Sequence, residues 1–161
     1  MVTSLLLSIL LLSLYASEIA ALNYWRLRIL SQSSTNWEVY FYEIAFRDSA
    51  GATIPGTYSS SRPDQDAAIA FLSDGDTSTR FRFPASGSQY VVGDFIKFVC
   101  SGCTPYSVYI MQFNGGDNQV KSMILESSAD GSTWTAEGPV FATFYVTTYT
   151  VQYPTAQPTL K

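Results

Sequence analysis

No histidine occurs among the 161 residues of the chain. Histidine is the commonest general base of enzymes, the usual activator of a serine or cysteine nucleophile and the commonest zinc ligand. The sequence also contains no G-x-S-x-G motif, no H-E-x-x-H motif and no phosphate-binding glycine loop. These absences argue against catalysis, and we expect a protein that is not an enzyme.

Charged residues are also scarce, at 14% of the chain, and the formal net charge is -4. The 9 Lys and Arg residues form no long basic run. Proteins that bind nucleic acid concentrate such residues on one face or along one element. Nucleic acid is therefore not an expected partner.

The chain has only two cysteines, Cys100 and Cys103, in the stretch "CSGCTPY". A single C-x-x-C without a second pair or a histidine cannot complete a tetrahedral zinc site. A redox motif would open a helix, whereas "FIKFV" and "YSVYIMQF" on either side are typical of strands. We expect a turn between strands, closed by a local disulfide if the protein is exported.

Aromatic residues make up 15% of the chain, and Tyr, Phe, Thr, Ser and Val outnumber the residues that favour helices. This composition predicts an all-β protein. The length is that of one domain with one core.

Residues 1–22 differ from the rest, because they are mostly Leu and contain no charge before Glu18. Three interpretations remain open. The segment fits a secretory signal peptide with an apolar core over residues 5–16. It also fits a membrane anchor at the short end of the spanning range. The third is a hydrophobic helix that is retained and buried in an oligomer or a larger particle.

The remaining chain alternates strand-like runs with polar turns. Trp25, Leu27 and Ile29 alternate with arginines, as in a half-buried strand. Residues 51–79 are rich in Gly, Ser, Pro and Asp, and they predict a long ordered loop with one helical turn at 66–72. Seven stretches predict strands, namely "YWRLRIL", "WEVYFYEIAFR", "FRF", "FIKFVC", "SVYIMQF", "QVKSMILESS" and "FATFYVTTYTVQY". With a returning strand that begins at Trp134, about eight strands are predicted in all.

Four motifs in order carry a resemblance to a known family. The stretches "YWRLRI", "EIAFRDSAG", "AIAFLSDGDTSTRF" and "MILESSADGSTW" are similar to those of the discoidin or coagulation-factor type C domain. This domain belongs to the galactose-binding-like superfamily, and the versions in bacteriophage tail and fibre proteins are especially similar. The resemblance implies an antiparallel jelly-roll β-sandwich whose loops at one end bind ligands, often sugars. The predicted organisation is a hydrophobic N-terminal helix over 1–22, a sandwich over 23–153 and a tail over 154–161.

The stretch "LSDGDTSTRF" allows two interpretations. In domains that this chain resembles, the corresponding loop often holds calcium, and Asp74, Asp76 and Thr79 are the candidate oxygen ligands here. Alternatively, the aspartates form a tight turn and accept hydrogen bonds from nearby backbone amides. Catalysis by paired carboxylates would need a second matching loop, which the sequence lacks.

Sugars stack on aromatic rings and form hydrogen bonds with planar polar groups, and binding residues concentrate on loops. The predicted loops carry six such residues, namely Trp37, Tyr58, Arg62, Tyr90, Tyr106 and Asn114. We expect a non-catalytic binding or attachment module, secreted or on a virion surface, whose partner is a glycan or another cell-surface ligand. The alternative is a structural assembly protein that binds copies of itself or other virion proteins through residues 1–22.

Glu43 lies among aromatic residues in "FYEIAF". Its carboxylate must be exposed or paired, and Arg26, Arg28 or Arg47 is the expected partner.

The pair Asp130 and Gly131 predicts a hairpin turn. Alternation and turn spacing predict a core that includes Trp25, Leu27, Ile29, Phe71, Phe81, Ile124 and Trp134.

Overall fold

A computed structural model describes residues 22–33, 38–83, 91–113 and 119–152. The predicted leader before Leu22 and the predicted tail lie outside these residues. The described part forms ten strands and one 3₁₀ helix. In chain order these are β1 (Leu22–Gln32), β2 (Val39–Arg47), β3 (Thr57–Ser60), the 3₁₀ helix (Pro63–Leu72), β4 (Phe81–Phe83), β5 (Phe95–Ser101), β6 (Ser107–Gln112), β7 (Val120–Ser128), β8 (Thr135–Ala136), β9 (Phe141–Ala142) and β10 (Val146–Thr150).

The strands form two antiparallel sheets. The first sheet has the order β3-β5-β1-β7-β8, and β9 also pairs with β7. The second sheet has the order β10-β6-β2-β4. The two sheets form a sandwich, which confirms the predicted all-β, antiparallel class. No helix in the described ranges is long and apolar enough to span a membrane.

The core lies between the sheets and is rich in phenylalanine. Phe46 of β2 stacks on Phe98 of β5, with 4.4 Å between ring centroids and 6° between ring planes. Because β2 and β5 belong to different sheets, this pair joins the two layers. A second group of fully buried rings lies where β4 pairs with β2. It consists of Phe41 of β2 and of Phe81 and Phe83 of β4. Aromatic side chains bury large apolar areas, and these five rings are among the largest fully buried side chains.

The predicted core is confirmed at four positions and wrong at three. Trp25, Leu27, Ile29 and Phe81 are buried. Phe71 is 40% exposed, because Leu72 takes the inward position at the end of the 3₁₀ helix. Ile124 is only half-buried, since Met123 and Leu125 occupy the inner face of β7.

Trp134 is also half-buried. Its ring lies under the guanidinium of Arg26, at 4.2 Å from the centroid. Arg26 points away from the core, since Trp25 and Leu27 on either side of it are buried. Trp134 therefore covers the outer face of the first sheet and does not enter the core. The predicted hairpin at Asp130 and Gly131 is confirmed, because β8 returns antiparallel to β7.

Two long segments differ from their predictions. Residues 51–79 contain the predicted helical turn as part of the 3₁₀ helix, but they also contain β3, which pairs with β5. The sequence predicts one strand over 141–153, whereas the described part of this range forms two strands. β9 pairs with β7 in the first sheet, and β10 pairs with β6 in the second. The chain therefore crosses from one sheet to the other between them.

The buried side chain of Gln112 supports this crossing. Its amide nitrogen donates to the carbonyls of Val120 (3.0 Å) and Phe144 (2.9 Å), and its oxygen accepts from the Val120 amide (2.9 Å). These bonds give backbone groups of Val120 and Phe144 a side-chain partner, and buried backbone groups need such partners.

Candidate functional site

The residues of the predicted calcium loop form a tight turn, which we call the acid turn (residues 74–79). Asp74 Oδ1 accepts a hydrogen bond from the Asp76 amide (2.9 Å), and Asp74 Oδ2 accepts one from the Thr79 hydroxyl (2.8 Å). Asp76 Oδ1 accepts from the Ser78 hydroxyl and amide, which hold the pKa of Asp76 below its ordinary value. The geometry is that of aspartates capping a turn.

The acid turn fits a calcium ion only in part. Calcium takes six or more oxygen ligands, often from several carboxylates. Three of the four carboxylate oxygens of Asp74 and Asp76 already accept hydrogen bonds within the turn. Among the described residues, no group of three or more Cys, Asp and Glu side chains is arranged to hold a metal ion. The turn is thus complete by itself, and calcium at Asp74, Asp76 and Thr79 stays a prediction.

For the predicted calcium site, the expected result is a higher melting temperature in excess calcium. A ligand that binds only the native state stabilises it by mass action, by about 2.7 kcal/mol at a hundred times its Kd. The variant Asp74→Asn should abolish the increase. Differential scanning fluorimetry with calcium and with chelator measures the increase in melting temperature. Identical melting curves would mean that these residues form the turn and bind no calcium.

Glu43 lies near the acid turn. The prediction that an arginine pairs with Glu43 is wrong. Arg26 and Arg28 pair with Glu126, and Arg47 lies over the ring of Tyr109. The register of β2 shifts between Phe41 and Glu43. This irregularity leaves Tyr42 and Glu43 half-buried in succession, between the inward-facing Phe41 and Ile44.

The environment of Glu43 disfavours its charged form. Its Oε1 is buried and has no hydrogen-bond partner among the described residues. Burial raises the pKa of Glu43, and the nearby carboxylates of Asp74 and Asp76 raise it further, while a hydrogen bond from the Gly75 amide acts in the opposite direction. Glu43 therefore binds a proton more tightly in the folded chain than in the unfolded chain.

Replacing Glu43 by Gln should stabilise the protein at neutral pH. The folded pKa lies above the unfolded one, so ionisation of Glu43 costs stability as pH rises from the unfolded pKa through the folded pKa. A neutral amide removes this cost and can donate to the carboxylate of Asp74. We expect a gain of about 0.5 kcal/mol, the size of an exposed charge pair, in urea denaturation at pH 7. The gain should disappear at pH 4, and the control Glu126→Gln should change stability in the opposite direction.

Three of the six predicted ligand-binding residues, Tyr58, Arg62 and Tyr106, lie in the described ranges. The Tyr58 ring packs against Phe98, with 5.0 Å between centroids, and its hydroxyl donates to the Ile44 carbonyl. This placement gives Tyr58 a packing role. The guanidinium of Arg62 forms an ion pair with Asp94 at 2.6 Å. Tyr106 is 51% exposed.

Trp37, Tyr90 and Asn114 lie outside the described residues, in the segments 34–37, 84–90 and 114–118. What the structure does describe is the pair of residues on either side of each segment.

These flanking residues converge at one end of the sandwich. The Ser33 amide donates to the Gln119 carbonyl at 2.8 Å. The Val91 amide donates to Gln32 Oε1 at 3.2 Å. On the other sheet, Val39 pairs with Phe83, and the Phe113 amide donates to the Tyr40 carbonyl at 3.1 Å. We call the end of the sandwich that these flanking residues form the loop end. Tyr106 lies at the opposite end, where its amide donates to the carbonyl of Arg47, the last residue of β2.

A cleft that sequence reasoning missed lies at this opposite end. Two adjoining cavities, of about 260 and 440 Å³, share Ser127, Ser128, Ala129 and Glu137 in their linings. We call them together the Glu137 cleft. The first cavity extends to Tyr24 at the start of β1.

Glu137 is held firmly in the cleft wall. Its amide donates to the Leu125 carbonyl at 2.8 Å, and its carbonyl accepts from the Tyr149 hydroxyl at 2.9 Å. The Ser127 hydroxyl donates to its Oε1. Only 9% of Glu137 is exposed. In the sequence, Glu137 is the only acid in an otherwise uncharged stretch, "TWTAEGPVFATF". This isolated acid is the sequence feature that could have indicated the site.

The rim of the cleft is also cross-linked. Cys100 and Cys103 form the expected local disulfide, and the Asn23 side chain donates to the Cys103 carbonyl at 2.6 Å. On the other side, Asp130 Oδ1 accepts hydrogen bonds from the Ser132 and Thr133 amides, both at 2.8 Å. These bonds hold the pKa of Asp130 well below its ordinary value.

No family model, curated protein or solved structure matches the chain.

Proposed function

We propose that this protein is a non-catalytic attachment module that binds a glycan outside a cell or on a virion surface. The observation that carries the proposal is the convergence of the described residues that flank the segments 34–37, 84–90 and 114–118. In the sequence, these segments contain Trp37, Tyr90 and Asn114. A rigid two-layer scaffold with binding residues on clustered loops is a common arrangement of recognition proteins. The finer fold assignment, a jelly roll of the discoidin kind, belongs to the same proposal.

The proposal predicts that a glycan array binds the protein and that Trp37→Ala weakens the binding. Losing a stacking ring removes buried apolar area worth roughly 1–3 kcal/mol, or about a 5- to 150-fold loss of affinity. Tyr106→Ala is the matched control, because it removes an exposed ring at the opposite end. Equal losses in both variants would speak against the loop end as the site, and turnover of a substrate would overturn the proposal.

Assembly is a second candidate function, supported by a cluster of exposed apolar side chains. Val140, Phe144, Tyr145 and Val146 are 52%, 68%, 39% and 46% exposed. Large exposed apolar patches mark interaction surfaces. If the protein forms an ordered oligomer on light scattering, and Phe144→Ser reduces it to a monomer without lowering the melting temperature, assembly replaces attachment as the function.

A further inference from the structure

We infer that the Glu137 cleft is a second ligand site, which binds a neutral sugar residue. The inference rests on the proposed function for the ligand class, and on the chemistry of the cleft for everything else. None of the six ligand-binding residues predicted from the sequence is among the described residues that line the cleft.

The charge of the lining selects against anions. The described lining contains two acids, Glu137 in both cavities and Asp130 in the larger one, and no lysine or arginine. An acidic sugar would bring a third negative charge close to these two with nothing to neutralise it. A neutral sugar offers hydroxyl donors to the same carboxylates and carries no such penalty.

In each of the two carboxylates, one oxygen accepts hydrogen bonds from the described residues. Asp130 Oδ1 is occupied by two backbone amides and by the Ser128 hydroxyl. The Glu137 carboxylate accepts from the Ser127 hydroxyl, and an ionised carboxylate has about four lone-pair sites in all. Each residue therefore keeps a second carboxylate oxygen as an acceptor for sugar hydroxyls, and Glu137 is the one that lines both cavities.

The rest of the lining suits a ring that has both hydroxyl groups and an apolar C–H face. Thr133 and Thr135 supply further hydroxyls in the larger cavity. Tyr24 supplies aromatic surface in the smaller one. The ring of Tyr24 is confined, because a Cβ at Gly131 would lie only 3.2 Å from it. An aromatic wall opposite hydrogen-bonding groups is the usual composition of small-ligand sites.

The site is also rigid before it binds. The disulfide, the Asn23 hydrogen bond and the capped Asp130 turn fix its rim, and both backbone groups of Glu137 are bonded. Preorganisation lowers the entropy lost on binding. The cavity volumes of about 260 and 440 Å³ lie near the lower end of the range of roughly 300–1,000 Å³ for such sites.

The test is a titration of the full chain with methyl glycosides of neutral hexoses, followed by the amide NMR signals of Ser127, Ser128 and Thr135. Two variants probe the cleft. Glu137→Gln keeps the shape and removes the charge, and we expect binding roughly 10- to 100-fold weaker, the effect of losing hydrogen bonds to a charged group. Ala129→Trp fills the cleft from an exposed position that both cavities share, and it should abolish these shifts without altering the melting temperature.

Trp37→Ala should leave the cleft signals unchanged, which separates this inference from the proposed function. If glycosides bind and the shifts are lost only in Trp37→Ala, the second site is wrong and the loop end stands. If the cleft signals respond to n-butylamine or to glucuronic acid but not to neutral glycosides, the cleft binds a charged group and the inference is overturned. If the array detects glycan binding but no glycoside moves the cleft signals, the inference fails alone.

Discussion

Replacing Phe98 by Ala should cost about 3–5 kcal/mol of the free energy of unfolding, the range measured for phenylalanine truncation in cores. Phe98 is fully buried and stacks on Phe46 of the opposite sheet at 4.4 Å. Tyr58 packs against it from β3. Truncation therefore removes contacts to both layers and leaves a cavity between them. Because a domain is stable by only about 5–15 kcal/mol, urea denaturation should show the largest loss of any substitution considered.

Phe95 in the same strand is the matched control for Phe98. Its side chain is half-buried on the other face of β5, where the guanidinium of Arg26 lies 5.2 Å from its ring centroid. Phe95→Ala should therefore cost only about 1 kcal/mol, since its surroundings can relax and solvent fills the space. Equal losses for the two variants would mean that Phe98 does not lie between the sheets.

The alternation in β1 made its inner face predictable from sequence, because one side of the strand is apolar and the other carries arginines. Trp134 and Ile124 could not be assigned in this way. Both are large apolar residues, and no local sequence pattern indicates that the hairpin after β7 folds over the outer face of the first sheet. There Arg26 covers the Trp134 ring. Local patterns report the period of a strand, whereas the face that is buried depends on distant partners.

Short elements were missed for a related reason. β3 has four residues, "TYSS", at the edge of its sheet and follows Pro55 and Gly56. Its strand conformation comes from pairing with β5 and not from its own composition. The split between β9 and β10 likewise depends on the buried Gln112, which accepts and donates across the gap. Tertiary hydrogen bonds of this kind leave no local sequence pattern.

The candidate sites also differ in whether local sequence or tertiary contacts determine them. The acid turn was predictable, because aspartates and hydroxyl residues at alternate positions bond to their own backbone. Glu43 was recognised as unusual, but its neighbours are set by the irregularity in β2 and by the approach of the acid turn. The Glu137 cleft brings together residues 23–25 and 127–137 through the pairing of β1 with β7, which no single stretch of sequence contains.

Glu126 provides the second large expected effect. It is 6% exposed on the outer face of the first sheet, directly opposite Arg26 in the register of β1 and β7. Arg26 Nε donates to its Oε2 at 2.5 Å, and Arg28 donates to its Oε1 at 2.7 Å. Removing one member of a buried pair costs about 3–5 kcal/mol. Because the two arginines keep some contact with water, we expect Glu126→Ala to cost about 2–3 kcal/mol.

The pH dependence distinguishes this ion pair from simple packing. Burial acts to raise the pKa of Glu126, but the hydrogen bonds from Arg28 and Arg26 outweigh it and hold the pKa below its ordinary value. A lowered folded pKa gives stability that is fully present above the unfolded pKa and is lost as pH falls through the folded pKa. The difference between wild type and Glu126→Ala should therefore shrink on acidification, as measured by urea denaturation between pH 7 and pH 2.

Arg82 and Glu38 form the matched surface pair, at 3.2 Å, with the Arg82 side chain 55% exposed. Exposed pairs contribute about 0–1 kcal/mol, because water screens the attraction and ordering the side chains costs entropy. Arg82→Ala should therefore change stability by less than about 1 kcal/mol. Two outcomes would mean that the Arg26–Glu126–Arg28 cluster does not stabilise the outer face through charge. One is a loss of stability in Arg82→Ala as large as that in Glu126→Ala. The other is a loss in Glu126→Ala that stays constant from pH 7 to pH 2.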